Sequence, residues 1–151
     1  MESHKQANAG LSLDEVARAR AALADRLVTP WWYHPLLGLL VAQHALVQGV
    51  DNRNWTLPSA LVLLGGCVAL VMACRRVTGL SVATPAGARS RGVLALRMLV
   101  ALVFIWAAAL AGDLRVAAAA AAFLFVATVV LGRRYDDALR HDLRDAGGRP
   151  A

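Results

Sequence analysis

The chain has 151 residues, 58% hydrophobic and 17% charged, with a formal net charge of +6. Its mean hydropathy of +0.52 is too high for an ordinary soluble domain of one-domain length. The basic excess flanks long apolar runs, which accounts for it without nucleic acid as a partner.

Residues 1–11 are polar and read as a disordered terminus. Ser12-Leu13-Asp14-Glu15 then matches a capping box, in which the serine caps an early helical N–H and the glutamate reaches back. It predicts an amphipathic helix over 12–28 with three acids and three arginines. Without net charge, such a helix gains little from anionic lipid. It is expected on the membrane's inner face or against another cytoplasmic element. The first thirty residues contain no apolar core of the kind a signal peptide needs.

A membrane domain is expected over 30–132, with four spans at 31–50, 56–74, 93–112 and 114–132. Each approaches the ~20 apolar residues that cross a bilayer; spans three and four reach that length only if Arg97 and Arg115 extend to the headgroups. Lys and Arg number four before the first run, one after it, five around the middle connection, one in the next turn and five in the tail. Basic residues mark the segments that stay in the cytoplasm. The predicted fold is therefore all-α: a four-helix transmembrane bundle, N-in and C-in. The amphipathic helix and an extension of helix four complete it on the cytoplasmic side.

Span one opens with Thr29-Pro30 and an aromatic belt of Trp31, Trp32 and Tyr33. Pro35 removes a helix donor, so the span either kinks there or begins there. His44, Gln48 and Asp51 share one face at steps of four and three, with Gln43 a quarter turn away and His34 about 80° around the helix. This is the candidate intramembrane polar site, because polar groups in a span are costly and histidine titrates near neutral pH. Its alternative is a structural hydrogen bond between helices, worth ~0.6 kcal/mol on average.

In span two, Gly65, Ala69 and Ala73, with Gly66 beside them, form a stripe that predicts close helix packing. Cys67 and Cys74 are seven apart on the same helix, ~10 Å along its axis, too far for a disulfide. They read as small apolar residues. The connection 75–92 carries Arg75, Arg76, Arg89 and Arg91 and no acid. These four arginines are the candidate contacts for anionic phospholipid or for a partner's acidic face. Gly112-Asp113-Leu114 makes a tight turn, and six alanines, Ala117 to Ala122, give span four a slim face toward its neighbours. Residues 133–151 continue that helix into the cytoplasm until Gly147-Gly148, with Asp136 expected to pair with Arg140 one turn on.

Signatures of catalysis are missing. No acid lies inside a span, and HExxH, CxxC and Gly-rich phosphate loops are absent. A Ser–His dyad is not expected, since Ser59 lies near the outer surface and His44 has no evident partner. Small four-helix multidrug transporters match this chain in size but depend on a glutamate in the first span, which is lacking here. No cofactor or metal is implied.

The segments "ARARAAL", "WWYHPLLGLL", "TGLSV" and "RRYDDALRHDLR" resemble small four-span membrane proteins common in actinobacteria, over nearly the whole chain. That resemblance implies topology and lineage, and no activity or residue role. The leading expectation is a non-enzymatic accessory, anchoring or signalling-associated membrane component acting through protein–protein contacts, with a partner or as a homo-oligomer. The alternative is a small-solute or proton-linked transporter working as an oligomer through His44 and Gln48.

Overall fold

The computed structural model describes residues 29–50, 53–78 and 87–147. The amphipathic helix expected over 12–28, the terminus 1–11, Asp51 and the centre of the basic connection lie outside these residues. The described chain is all-helical: α1 (Tyr33–Val47), a short 3-10 turn (Arg53–Trp55), α2 (Thr56–Thr78), α3 (Ala88–Ala111) and α4 (Leu114–Gly147).

Three helices, α2, α3 and α4, are long and apolar enough to cross a membrane, the mark of a membrane protein. At 15 residues, α1 is shorter than the predicted span 31–50 and rises only roughly 22 Å. Hydrogen-bonded turns extend it: Tyr33 donates to the Pro30 carbonyl at 3.0 Å, Gly49 to Leu46 at 3.1 Å and Val50 to Val47 at 3.1 Å. Pro35 occupies the first turn, where N–H groups have no intrahelical acceptor anyway. The helix starts beside it and has no break to accommodate.

The predicted connection 75–92 is shorter than expected, because α2 runs on to Thr78 and α3 begins at Ala88. All four of its arginines therefore sit on helices. Gly112 closes α3 in the left-handed conformation at φ 58°, donating to the Ala108 carbonyl at 3.3 Å. The Asp113 carboxylate accepts the Arg115 N–H at 2.6 Å and so caps α4. At 34 residues, α4 is roughly 51 Å long, well beyond a bilayer core of ~30 Å.

α4 is the spine, with its largest interfaces to α1 and α3, while α2 packs on α1. In lipid no hydrophobic force draws helices together, so close approach of small residues and dispersion must hold them. The α1–α4 seam has that composition. Ala45 and Ala117 are fully buried, Gly38 lies under Phe125, and a methyl on Gly49 would overlap Ala117. Phe104 of α3 stacks on Phe123 of α4 with centroids 4.3 Å apart, next to the buried Leu124. The stripe predicted on α2 is not a seam within this chain. Gly65 and Ala69 are exposed, and nothing lies within 4 Å of where a Gly65 side chain would start. A Cβ on Gly66 would meet Leu40.

Beyond the apolar runs, α3 and α4 stay together. Tyr135 and Leu139 are buried against Val93, Leu94 and Leu143. Gly87 precedes α3 but has no side chain with which to cap it. Asp142 of α4 supplies the missing carboxylate, accepting the Ser90 N–H at 2.8 Å. Ser90 completes the reciprocal half of the box by accepting the Gly87 N–H at 3.2 Å. Any Cβ at Gly87 would run into the Asp142 carboxyl group.

Candidate functional site

The bundle has two ends. The turn end holds the Gln48–Thr56 connection and Gly112. The Arg-rich end holds the start of α1, the end of α2, the start of α3 and the α4 extension. Each has a polar cluster built around a histidine of α1.

At the turn end the structure joins His44, Gln48 and Gln43, and adds Ser59, which was expected to lie apart from His44 near the outer surface. His44 Nδ1 lies 2.9 Å from the Ser59 hydroxyl, which overturns the expectation that His44 has no partner. One turn of helix separates His44 from Gln48 and fixes that pair. Ser59 reaches them because α2 starts against the end of α1. The bond directions close consistently. Ser59 donates to the Thr56 carbonyl at 2.9 Å, so its oxygen accepts from His44 Nδ1–H. His44 Nε2 then accepts from the Gln48 amide at 3.2 Å, which also reaches the His44 carbonyl at 3.4 Å. Gln43 donates to the Ser59 carbonyl at 3.2 Å.

This is a neutral network that uses both imidazole nitrogens and ends on backbone carbonyls. A serine nucleophile needs an imidazole nitrogen that accepts its proton; here Nδ1 donates to the serine instead. A groove of about 600 Å³ opens beside it between α1, α2 and α3, with Gln48 and Thr56 on its polar side and Ile105, Trp106 and Ala109 opposite. Gln48 lines that groove and His44 does not.

His34 lies ten residues before His44, roughly 15 Å away along α1, at the Arg-rich end. It does not extend the His44 cluster into a path. Its partner is Asp136 of α4, with Nε2 2.8 Å from Oδ2, and the two side chains are 6% and 13% exposed. Asp136 turns inward, away from its predicted role as the partner of Arg140, which bridges to Asp137 at 3.4 Å. The imidazole fits because residue 132 is glycine: a Cβ there would overlap His34 Nδ1. With Nδ1 pressed on the Gly132 backbone, the ring carries its proton on Nε2 and donates it to the carboxylate. His34 Nδ1 and Asp136 Oδ1 are buried without a hydrogen-bond partner.

Arg97 of α3 completes this cluster. Its guanidinium is within electrostatic reach of Tyr33 and Cys67, and further of Asp136 and Tyr135. Among the described residues it has no hydrogen bond or ion pair. Its charge and that of Asp136 share a half-buried region without touching.

The four candidate lipid-contact arginines lie at the same end. Arg75 and Arg76 are exposed on the last turns of α2. Arg89 bridges to Asp145 at 3.4 Å in solvent, and Arg91 donates through Nε to the Gly87 carbonyl at 3.0 Å. The Asp142 carboxyl group sits close to them. Burial would raise its pKa, but hydrogen bonds from Ser90 and the Arg89 backbone, together with the Arg89 charge, outweigh this and hold it below the ordinary carboxylate value. Cys67 and Cys74 are free thiols. Among the described residues no group of three or more His, Cys, Asp or Glu side chains could hold a metal ion.

Sequence reasoning missed Asp136, Gly132, Arg97 and Ser59 as site members. The available signal was a polar residue at helical spacing from a span: Asp136 lies four residues after Gly132 on the helix that carries the alanine run. No protein-family model matches the chain, and no curated protein or solved structure is found to be similar to it.

Proposed function

We propose that the chain is a non-enzymatic accessory or anchoring component of a bacterial inner membrane that acts through protein–protein contacts. In this reading α1, with its flanking turns, makes a fourth crossing. Both termini and the Arg-rich end then face the cytoplasm, as the distribution of arginines requires. The observation that carries the reading is the incomplete packing of α2. It rests on α1 and turns Leu61, Leu64, Gly65, Val68, Ala69 and Met72 outward. Small residues among larger apolar ones on an open face suit a second helix, from another copy or from a partner. The network at His44 supports the same reading, because both imidazole nitrogens are engaged within the bundle.

The groove beside Gln48 favours one other reading, oligomeric transport of a small solute or proton through Gln48 and His44. It lacks a polar path onward, since Leu37, Leu40 and Val41 lie between His44 and His34.

Affinity purification from native membranes, with identification of what co-purifies, tests the proposal. A stoichiometric protein partner, lost or weakened by Gly65→Leu or by removal of residues 1–28, is expected. Solute uptake into proteoliposomes that His44→Ala abolishes, with no partner recovered, would replace this reading by transport.

A further inference from the structure

Arg97 poses a physical problem that the bundle does not solve. A cation in an apolar span is costly unless it is paired or reaches water or headgroups. Among the described residues the one carboxylate within electrostatic range, Asp136, is engaged with His34 at 2.8 Å, and no ion pair joins it to Arg97. The other groups facing Arg97 are Tyr33, Cys67 and Tyr135, none of which carries a charge at neutral pH.

We infer that Arg97 binds the phosphate of an anionic phospholipid from the leaflet at the Arg-rich end. The inference rests on the membrane reading above and names one molecule that this end of the bundle holds. Height along the helix supports it. Arg97 lies fifteen residues from Gly112, roughly 22 Å along a core of ~30 Å. That leaves about 8 Å to the headgroup boundary, within reach of an arginine stem whose Cα–Cβ bond leans toward the N-terminus of α3. Tyr33 and Tyr135, at the first turn of α1 and just beyond the apolar run of α4, mark that boundary. Access supports it too, because α2 packs on α1 and makes no substantial interface with α3. A planar guanidinium also matches phosphate oxygens with two parallel donors. A carboxylate on a partner's helix is the competing counter-charge, but the lean of the side chain toward the membrane surface favours the headgroup.

The test uses the full chain in nanodiscs of phosphatidylcholine and phosphatidylglycerol in equal parts, with bound lipid counted by native mass spectrometry. Wild type should retain at least one more phosphatidylglycerol than Arg97→Gln. The affinity loss should be about fivefold or more, the scale of one basic residue near an anionic surface. Arg97→Lys should fall between them. Millimolar inorganic phosphate should not displace the lipid; displacement would mean a soluble phosphate ligand and overturn the lipid assignment. Equal retention by wild type and Arg97→Gln, with circular dichroism showing both folded, would overturn it outright. So would a partner protein lost from Arg97→Gln while its lipid count stays unchanged. If instead the detergent-free protein fails to float with vesicles, the membrane reading itself fails, separately from the role of Arg97.

Discussion

His34 and His44 sit ten residues apart on one helix, and the bundle treats them in opposite ways. At the turn end His44 is half-buried, neutral and fully used: one nitrogen donates to Ser59 and the other accepts from Gln48. At the Arg-rich end His34 is 5% exposed and bonded to a carboxylate, and it leaves an unpartnered atom on each side of the bond. A neutral network tolerates an apolar medium, whereas a buried carboxylate is sensitive to every partner it keeps or loses. The contrast separates a neutral fastener from one that depends on a single buried ion-pair contact.

The largest expected effect comes from breaking the charged side of that contrast. His34→Leu leaves Asp136 buried without its donor and should cost about 3–5 kcal/mol. Asp136→Leu strands His34 and should cost somewhat less, because a neutral ring is easier to bury than a carboxylate. The double variant should recover much of the loss, since neither polar group remains. Thermal unfolding in matched detergent, run as a double-mutant cycle, measures the coupling. A coupling near zero would show that the pair does not form.

Two glycines give the next contrast. Gly132→Ala places a methyl where His34 Nδ1 lies and should destabilise by about 1–3 kcal/mol through overpacking and a displaced imidazole. Gly65→Ala meets open space and should be neutral or slightly stabilising in the monomer, because alanine is the better helix former. If Gly65→Ala weakens self-association or partner capture while leaving the melting temperature intact, the open face of α2 is an interface.

How far these features could be read in advance depended on whether they were local. Apolar run length located the four helices among the described residues, and Gly112 and Gly147 marked two of their ends, because each signal lies within a few residues of its effect. The His44–Gln48 pair was legible for the same reason: one helical turn fixes it. Asp136 was misread because helical spacing sets it one turn before Arg140, while its partner is 102 residues away. No helical period records such a contact. Small-residue spacing pointed to α2, yet the seam runs through Gly38, Ala45 and Gly49 against α4. Spacing shows that a face permits close approach, not which helix meets it. The Gly87–Ser90 step looked like loop because half of its cap comes from Asp142 on another helix.

The neutral end should respond less than the charged one. Ser59→Ala removes the acceptor of His44 Nδ1–H and should cost on the order of 1 kcal/mol, within the range found for interhelical hydrogen bonds in membranes. His44→Ala should cost a similar amount, with Gln48 losing its acceptor. The two should be strongly non-additive, since each removes the same bond. A loss at Ser59 as large as that at His34 would erase the distinction between the two ends.

The smallest effect concerns Asp142, and its pH dependence sets its sign. This carboxylate caps α3 from outside the helix, and Asp142→Asn keeps an oxygen there but loses the charge, so the expected cost at neutral pH is about 0.5–1 kcal/mol. Its folded pKa is held below the ordinary carboxylate value. Folding therefore favours the ionised form, and the stabilisation is fully present above the unfolded value of about 3.9. As the pH falls through the lower folded value, both states take up the proton and the advantage disappears. Wild type should thus exceed Asp142→Asn in unfolding midpoint at pH 7, and the gap should close as the pH drops below about 4. A gap that persists or widens at low pH would mean that Asp142 acts through packing against Gly87 rather than through its charge.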